Sequence, residues 1–269
     1  MTAALTVSPA AIAAMAFTGI FCLLLPVGLG LFFAKRLRGR WRFFWLGCLT
    51  FVLFALVLEQ AVHTLVLGGA LGPAITGNIW LYALYGGLMA GLFEEAGRWL
   101  AFQLAARRRQ AGGLDAAPDA LMYGAGHGGI EAVLLAGMAM LSNIVLSLMI
   151  NQGGLAAVIA AGSLPEAAVT AAESLAGVPA SMFLWSGFER LCAVVLHIAL
   201  SVLVYAAVAQ KRRGLWFAAV GLHALVDMAA VLANSWLPVA ATEGLVALLS
   251  LAAALLARRV YRALPAARP

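Results

Sequence analysis

The sequence predicts an all-α, polytopic membrane protein with about seven transmembrane helices. Of its 269 residues, 64% are apolar and only 10% are charged, and the mean hydropathy is +1.00. Soluble domains are about half apolar and about a quarter charged, so these values exclude an ordinary soluble domain. A helix of about 20 residues spans a bilayer, so the chain has room for roughly seven or eight spans and for no large soluble domain.

Seven apolar runs are the predicted spans, and they place residues 1–269 in a single integral membrane domain. The runs lie at about 10–34, 43–67, 78–106, 120–150, 183–209, 215–233 and 242–257. The longest connection, 151–182, is expected to be an external loop. Its Ser163-Leu-Pro-Glu166 pattern predicts a capped short helix to about Ser174, which is either structural decoration or a lid that faces the substrate.

The distribution of Lys and Arg predicts the orientation. Fifteen of the 17 basic residues lie in every second connection, in the segments 35–42, 107–109, 211–213 and 258–268. The alternate segments, 1–9, 68–77, 151–182 and 234–241, contain none. The positive-inside rule therefore places the N-terminus outside and the C-terminus in the cytoplasm. The net charge of +6 thus reflects topology, and no nucleic-acid partner is expected.

The predicted spans contain ionisable residues that need a common site. Each charge at a helix centre costs about 2.5–3.5 kcal/mol on insertion scales, so these side chains are expected to face one another or an aqueous cavity. At a rise of 1.5 Å per residue, four helices place them roughly 12–21 Å from the predicted cytoplasmic boundary. The members of this layer are Glu94, Glu95 and Arg98 in the third span, His127 and Glu131 in the fourth, His197 in the fifth, and His223 and Asp227 in the sixth.

The chemistry of this layer suits a zinc hydrolase. Three neutral imidazoles bind the ion, an open position acidifies a water molecule, and a neighbouring carboxylate takes its proton. His127, His197 and His223 are the predicted ligands, although each could instead be a hydrogen-bonded core histidine. Arg98 is predicted to be the counter-charge of the glutamates or an anchor for the substrate. The layer as a whole would also suit a proton or ion pathway, or a structural polar core.

Two further polar pairs fall outside the predicted layer. Glu59 and His63 are four residues apart near the outer end of the second span, which favours an interfacial or packing role. Glu189 and Arg190 lie farther from the cytoplasmic boundary than the layer and are expected to pair structurally. Neither pair is predicted to be catalytic.

Four short motifs resemble the YhfC family of glutamic-type intramembrane metalloproteases, which is related to the CAAX prenyl protease and bacteriocin-processing (CPBP) and PrsW-like clan. The match covers about 90–230, with the motifs in the right order and on separate helices. The motifs are Glu94-Glu95-Ala-Gly-Arg98-Trp99, Gly126-His127-Gly128-Gly129-Ile130-Glu131, His197-Ile-Ala-Leu-Ser201 and His223-Ala-Leu-Val-Asp227.

The resemblance implies a division of roles. Glu94, the first glutamate, would activate the water. Glu95 and Arg98 are predicted from their spacing to support it electrostatically, beyond what the resemblance implies. His127 and His223 would help to hold the metal, which is expected to be a divalent ion, with zinc as the first choice.

The sequence also departs from the clan in ways that leave some roles open. Asp227 replaces the Asn that is thought to steady the oxyanion in CAAX proteases, so it would need to be protonated for that role, or would orient the histidine or bind metal instead. Tyr123 stands where the clan has Phe, and the spacing from the glutamates to the arginine is one residue shorter. His197 has no clear counterpart and is predicted as a ligand from its depth. Glu131 is a further ligand or an orienting group.

The predicted function is hydrolysis of a peptide bond in a membrane-embedded or membrane-associated peptide. The catalytic core would be about 78–233, the substrate a membrane protein or (lipo)peptide, and the setting a lipid bilayer. The resemblance implies a bacterial cytoplasmic membrane. The alternative is a non-enzymatic membrane protein, either a proton-coupled transporter or a catalytically inactive relative that acts as a chaperone or immunity factor.

Overall fold

A computed structural model describes residues 5–107, 114, 116–153 and 166–264, and all regular structure within these ranges is helical. We number the helices in chain order. They are α1 (Pro9–Leu37), α2 (Trp41–Leu67), α3 (Gly72–Thr76), α4 (Ile79–Arg107), α5 (Pro118–Asn151), α6 (Glu166–Gly177), α7 (Ala180–Ala209), α8 (Arg213–Trp236) and α9 (Val239–Arg262).

The predicted all-α membrane fold is confirmed. Among the described residues, six helices are long and apolar enough to cross a bilayer, namely α1, α2, α5, α7, α8 and α9. Helix α4 has 29 residues, as many as α1, but it carries the charged residues Glu94, Glu95 and Arg98. These seven helices match the seven predicted spans, with ends that agree within about five residues. The protein is therefore an integral membrane protein, and its orientation stays a prediction.

The start of α5 shows how local sequence fixes a helix end. Pro118 occupies the first helical position, where its missing N–H costs no hydrogen bond, and Asp119 follows in the first turn, where an acidic side chain is favoured. The buried Asp119 carboxylate accepts hydrogen bonds from the backbone N–H of Arg40 at 3.1 Å and from its Nε at 2.9 Å, and also pairs with its terminal nitrogen. This pair ties the connection between α1 and α2 to α5.

Helix α6 lies within the connection 151–182, where the sequence predicts a short helix. It extends three residues beyond the predicted end at Ser174, to Gly177. The predicted capping residues at 163–165 lie outside the described residues.

The chain divides into two compact units. The first unit comprises Met1–Leu24 and Ala132–Arg190. Its core includes Met15, Met140 and Phe183. Asn151 accepts a hydrogen bond from the backbone N–H of Val7 at 2.8 Å and donates one to the carbonyl of the same residue at 2.9 Å, so one side chain anchors the segment before α1.

The second unit comprises Leu25–Glu131 and Leu191–Pro269 and contains every residue of the predicted polar layer. Its core is built around large side chains such as Phe43, Phe102 and Leu203. The ring of Phe102 contacts those of Tyr123 and Tyr205, with centroid distances of 4.7 and 5.5 Å. These contacts pack α4, α5 and α7 together.

Glycines allow the helices of the second unit to approach closely. A Cβ atom on Gly124 of α5 would lie 2.5 Å from the Cα of Ile198 on α7, and one on Gly128 would lie 3.0 Å from the Cβ of His197. In α4, a Cβ on Gly91 would lie 2.8 Å from the carbonyl oxygen of Val220 on α8. Only glycine fits at such backbone contacts, so these positions set the distances between the helices that carry the polar layer.

Two helices contain π-helical segments, which change the direction in which later side chains point. The segments are Val52–Glu59 in α2 and Ala132–Gly137 in α5. A π-helical turn contains an additional residue, so positions beyond it rotate relative to an ideal α-helix. Helical spacing alone therefore misplaces residues at the ends of these segments.

Candidate metal centre

The polar layer is assembled from four helices of the second unit. Helix α4 contributes Glu94, Glu95 and Arg98, α5 contributes His127 and Glu131, α7 contributes His197, and α8 contributes His223 and Asp227. The first seven of these residues are all buried, while the side chain of Asp227 remains 36% exposed. The structure therefore brings every predicted site residue into one cluster, with Asp227 at its edge.

His127 is aligned with the first glutamate of α4. Its Nε2 lies 2.8 Å from Oε2 of Glu94, at hydrogen-bonding distance. The imidazole stacks on the ring of Tyr123, at a centroid distance of 5.9 Å, and meets Phe51 edge-on at 5.3 Å. The Tyr123 hydroxyl donates to Oγ1 of Thr50 at 2.7 Å, which fixes this wall of the site. Aromatic contacts on two sides therefore hold His127 in one orientation.

His197 lies between an arginine and a second carboxylate. The terminal nitrogen of Arg98 donates to Nδ1 of His197 at 3.1 Å, which makes Nδ1 the acceptor. On the opposite edge of the ring, Nε2 lies 2.6 Å from Oε2 of Glu131. Nδ1 is also 3.8 Å from Oε2 of Glu94. Arg98 thus does more than neutralise the glutamates, because it also orients a predicted ligand.

His223 is held by the second glutamate of α4. Its Nδ1 lies 2.9 Å from Oε1 of Glu95. The same Oε1 forms an ion pair with Arg98, and the side chains of Glu95 and Arg98 are both fully buried. A histidine that donates through one nitrogen to a carboxylate presents the lone pair of its other nitrogen to a metal. That nitrogen, Nε2, lies 3.6 Å from Oδ2 of Asp227. Nε1 of Trp216 donates to the backbone carbonyl of Glu95 at 3.0 Å and fixes α4 at this point.

Three of these residues form a group that fits a metal ion. One donor atom from each of Glu94, His197 and His223 lies within 4.8 Å of the other two, and all three residues are buried. Tetrahedral zinc with ligands at about 2.1 Å separates its donor atoms by about 3.4 Å, so the group needs only modest side-chain movement to close on an ion. Carboxylate and imidazole are also donors that zinc accepts. The residues therefore fit a divalent metal.

This group shares two members with the three histidines predicted from the sequence. His127 contacts Glu94 instead of joining the group, and among the described residues its buried Nδ1 has no hydrogen-bond partner. Both Oε2 of Glu95 and Nε of Arg98 are likewise buried without a hydrogen-bond partner in the described part of the chain.

Glu59 lies nearer to the site than its sequence position suggests. It is buried, hydrogen-bonded to Nε2 of His63 at 3.1 Å, and close enough to interact electrostatically with Glu94, His223 and Asp227. Nδ1 of that histidine lies 2.9 Å from the hydroxyl of Tyr85, a residue that the sequence analysis did not single out. Glu59 ends the π-helical segment of α2, and its position near the outer end of the predicted span had favoured an interfacial or packing role.

The second pair outside the layer behaves as predicted. Arg190 forms an ion pair with its neighbour Glu189. Both belong to the first unit, whereas the layer belongs to the second.

Comparisons with known proteins agree with this description. A family model described as YhfC intramembrane metalloprotease matches residues 21–249. The chain is also similar to a curated protein of Bacillus subtilis (strain 168) named "Uncharacterized membrane protein YhfC", with 36% identity over 228 residues that cover 84% of this chain and 86% of that protein. No solved structure matches.

Proposed function

Because the chain belongs to the YhfC family, we propose that it is an intramembrane metalloprotease that hydrolyses a peptide bond of a membrane-embedded or membrane-associated substrate. The observation that supports the proposal best is the convergence of Glu94, His197 and His223 within one buried layer. Buried charges are costly in a membrane protein and mark functional sites, and two imidazoles that can hold a metal beside a carboxylate that can act as a base are suited to metal-assisted hydrolysis.

In the proposed reaction, Glu94 is the general base. Its carboxylate takes a proton from a water molecule whose oxygen attacks the carbonyl carbon of the substrate. The C–N bond then breaks, and the proton passes from Glu94 to the leaving amine nitrogen. His223 and His197 would hold the metal. His127 would be the third imidazole of the site, and its Nε2 contacts the carboxylate of Glu94. A divalent metal, with zinc as the first choice, would supply Lewis acidity that polarises the carbonyl and acidifies the water.

The remaining polar residues of the layer position these groups. Glu95 holds His223 through Nδ1, and Arg98 holds His197 through Nδ1 while balancing the charge of Glu95. Because Nδ1 of His197 accepts from Arg98, Nε2 is the nitrogen left to bind a metal, and Glu131, which lies 2.6 Å from Nε2, would serve as an additional ligand. The partly exposed Asp227 is placed to orient His223 from its other edge or to contact the substrate.

Metal analysis of three purified proteins tests the proposal. Wild type is expected to contain near-stoichiometric zinc and to cleave members of a library of membrane-inserting peptides in micelles, with products read by mass spectrometry. A Glu94→Gln variant is expected to retain most of the metal but to lose activity at least 100-fold, because the amide cannot accept the proton. Glu189→Gln is the matched control, since it removes an intramembrane carboxylate that is paired outside the layer.

Three outcomes would contradict parts of this scheme. Loss of metal in Glu94→Gln would make Glu94 a ligand instead of the base. Full activity in the same variant would remove Glu94 from the mechanism. Absence of metal from folded wild-type protein that has been offered zinc would overturn the metalloprotease itself.

The setting that we propose follows the sequence prediction and the relative. The substrate would be a membrane protein or (lipo)peptide, and the membrane the bacterial cytoplasmic membrane, in keeping with the Bacillus subtilis protein to which the chain is similar.

A proton pathway is the second candidate, and one observation favours it. Tyr85, His63 and Glu59 form a hydrogen-bonded series that ends next to the layer, as a relay of protons would require. Reconstituted protein in liposomes with an imposed pH gradient distinguishes the two functions. Proton flux that persists after metal chelation and is lost in Glu59→Gln would favour the proton pathway. Liposomes that stay impermeable to protons would favour the protease.

A further inference from the structure

A cavity at one end of the second unit lies beside the polar layer but does not belong to it. Its volume is about 440 Å³, and it is lined by residues from the end of α4, the end of α7, the connection to α8 and the start of α8, and by Leu114 in the connection that follows α4. We call it the basic cavity, because Lys211 and Arg213 both line it, and Gln103 adds a side-chain amide. These two cations belong to one of the clusters that the positive-inside rule places at the cytoplasmic boundary.

An apolar cleft adjoins the basic cavity. Its volume is about 370 Å³, and it is lined by Ala96, Trp99, Trp216 and Phe217, together with Arg213. We call it the aromatic cleft. Trp99 and Arg213 line both spaces, so the two adjoin. The rings of Trp99 and Trp216 meet edge-on at a centroid distance of 5.3 Å and form the wall between α4 and α8.

The cations of the basic cavity are available to a ligand. Among the described residues, no carboxylate lies within ion-pair distance of Lys211 or Arg213, whereas Arg40, Arg98 and Arg190 each have one. The connection between α7 and α8 is short, and Arg212 donates its backbone N–H to the carbonyl of Ala207 at 2.9 Å, which closes the end of α7. The short connection therefore keeps both cations next to the cavity, where an anion would balance their charge.

The combination of an anionic site with an apolar cleft defines the occupant. We propose that the basic cavity and the aromatic cleft bind one anionic phospholipid, with the phosphate near Lys211, Arg213 and Gln103 and an acyl chain along Trp216 and Phe217. Basic pockets between transmembrane helices are suited to lipid headgroups, and indole rings favour the membrane interface. The cleft is open to the surface of the protein, so an acyl chain can enter it. This inference does not depend on the proposed protease activity.

Two residues that line the aromatic cleft contact or adjoin residues of the candidate metal centre. Trp216 donates from its indole nitrogen to the carbonyl of Glu95, and Trp99 follows Arg98 in α4. A bound acyl chain would therefore pack against the outer side of the same helix segment whose inner side orients His223.

Lipid titration of the delipidated full-length protein, followed by native mass spectrometry, tests the proposal. Phosphatidylglycerol and phosphatidylcholine with identical acyl chains are the two probes. Each Lys or Arg near an anionic lipid contributes a factor of about five in affinity, so the two cations predict a preference of about 25-fold for phosphatidylglycerol. Lys211→Gln with Arg213→Gln is expected to abolish this preference. Lys35→Gln with Arg36→Gln, which removes two cations of another boundary cluster, should change it less than twofold.

Two results would overturn the proposal that Lys211 and Arg213 select an anionic lipid. Equal binding of both lipids to wild type would show that the cavity does not select an anion. An equal loss in the control variant would show that the preference comes from the general surface charge.

The acyl-chain half of the proposal has its own test. Phe217→Ala should weaken the binding of both lipids, whereas Phe32→Ala, which truncates a comparably exposed ring on α1, should not. Inorganic phosphate is expected to compete poorly with phosphatidylglycerol, because it gains nothing from the cleft. Competition by phosphate at the concentration at which the lipid saturates would make this a bare anion site and overturn the lipid assignment. Circular dichroism and size-exclusion chromatography confirm that each variant compared is folded.

Discussion

Gly124→Ala is a small substitution that tests whether close helix packing positions the candidate metal centre. The new Cβ would lie 2.5 Å from the Cα of Ile198 and 3.0 Å from the carbonyl oxygen of His197. Because carbon atoms prefer separations of about 3.5–4.0 Å, α5 and α7 must move apart by about 1 Å. Both contacts are with backbone atoms, so a side-chain rotation cannot relieve them.

The magnitude follows from two opposing effects. Alanine gains about 0.8–1.0 kcal/mol over glycine in helix propensity, whereas overpacking costs about 1–3 kcal/mol. We therefore expect a net destabilisation of up to about 2 kcal/mol. The same movement separates His127 on α5 from His197 on α7, whose rings now lie 4.8 Å apart, and should weaken metal binding about 10- to 100-fold.

Thermal unfolding in detergent and zinc analysis measure both effects, and Gly86→Ala on α4 is the matched control. A Cβ at Gly86 would meet nothing within 4 Å, so this variant should be as stable as wild type or up to about 1 kcal/mol more stable, with unchanged zinc. If Gly124→Ala bound zinc as well as Gly86→Ala and unfolded at the same temperature, the packing argument would be refuted.

Two further substitutions test the ion pairs that support the fold and the site. Glu95→Gln should destabilise the protein by about 3–5 kcal/mol, because Arg98 is left buried without its counter-charge, and should weaken metal binding about 10- to 100-fold by releasing His223. Unfolding in detergent and zinc titration check this, and unchanged zinc affinity would exclude Glu95 as the group that orients the ring. Asp119→Asn should cost about 1.5–3 kcal/mol, because it removes the charge that binds Arg40, and should leave the zinc content of folded protein unchanged. Zinc loss in that variant would show that the Arg40–Asp119 ion pair also affects the geometry of the metal centre.

The sequence by itself determined the class of protein and the number and limits of its long helices. Hydropathy and the spacing of basic residues are local properties of a segment, and a bilayer imposes one helix length on every span, so no tertiary information is needed. The cost of burying charge in a membrane further implied that Glu94, His127, His197 and His223 share one region. Motif order indicated the family.

Only the tertiary structure decided which side chains meet within that region. Arg98 contacts His197 as well as Glu95, and His127 contacts Glu94 instead of completing a group of three histidines. These choices depend on how far each helix is rotated about its axis and how closely its neighbours approach. Glycine contacts on α5 set how closely α7 approaches it, and neither this distance nor the rotation of a helix about its axis can be read from residue spacing.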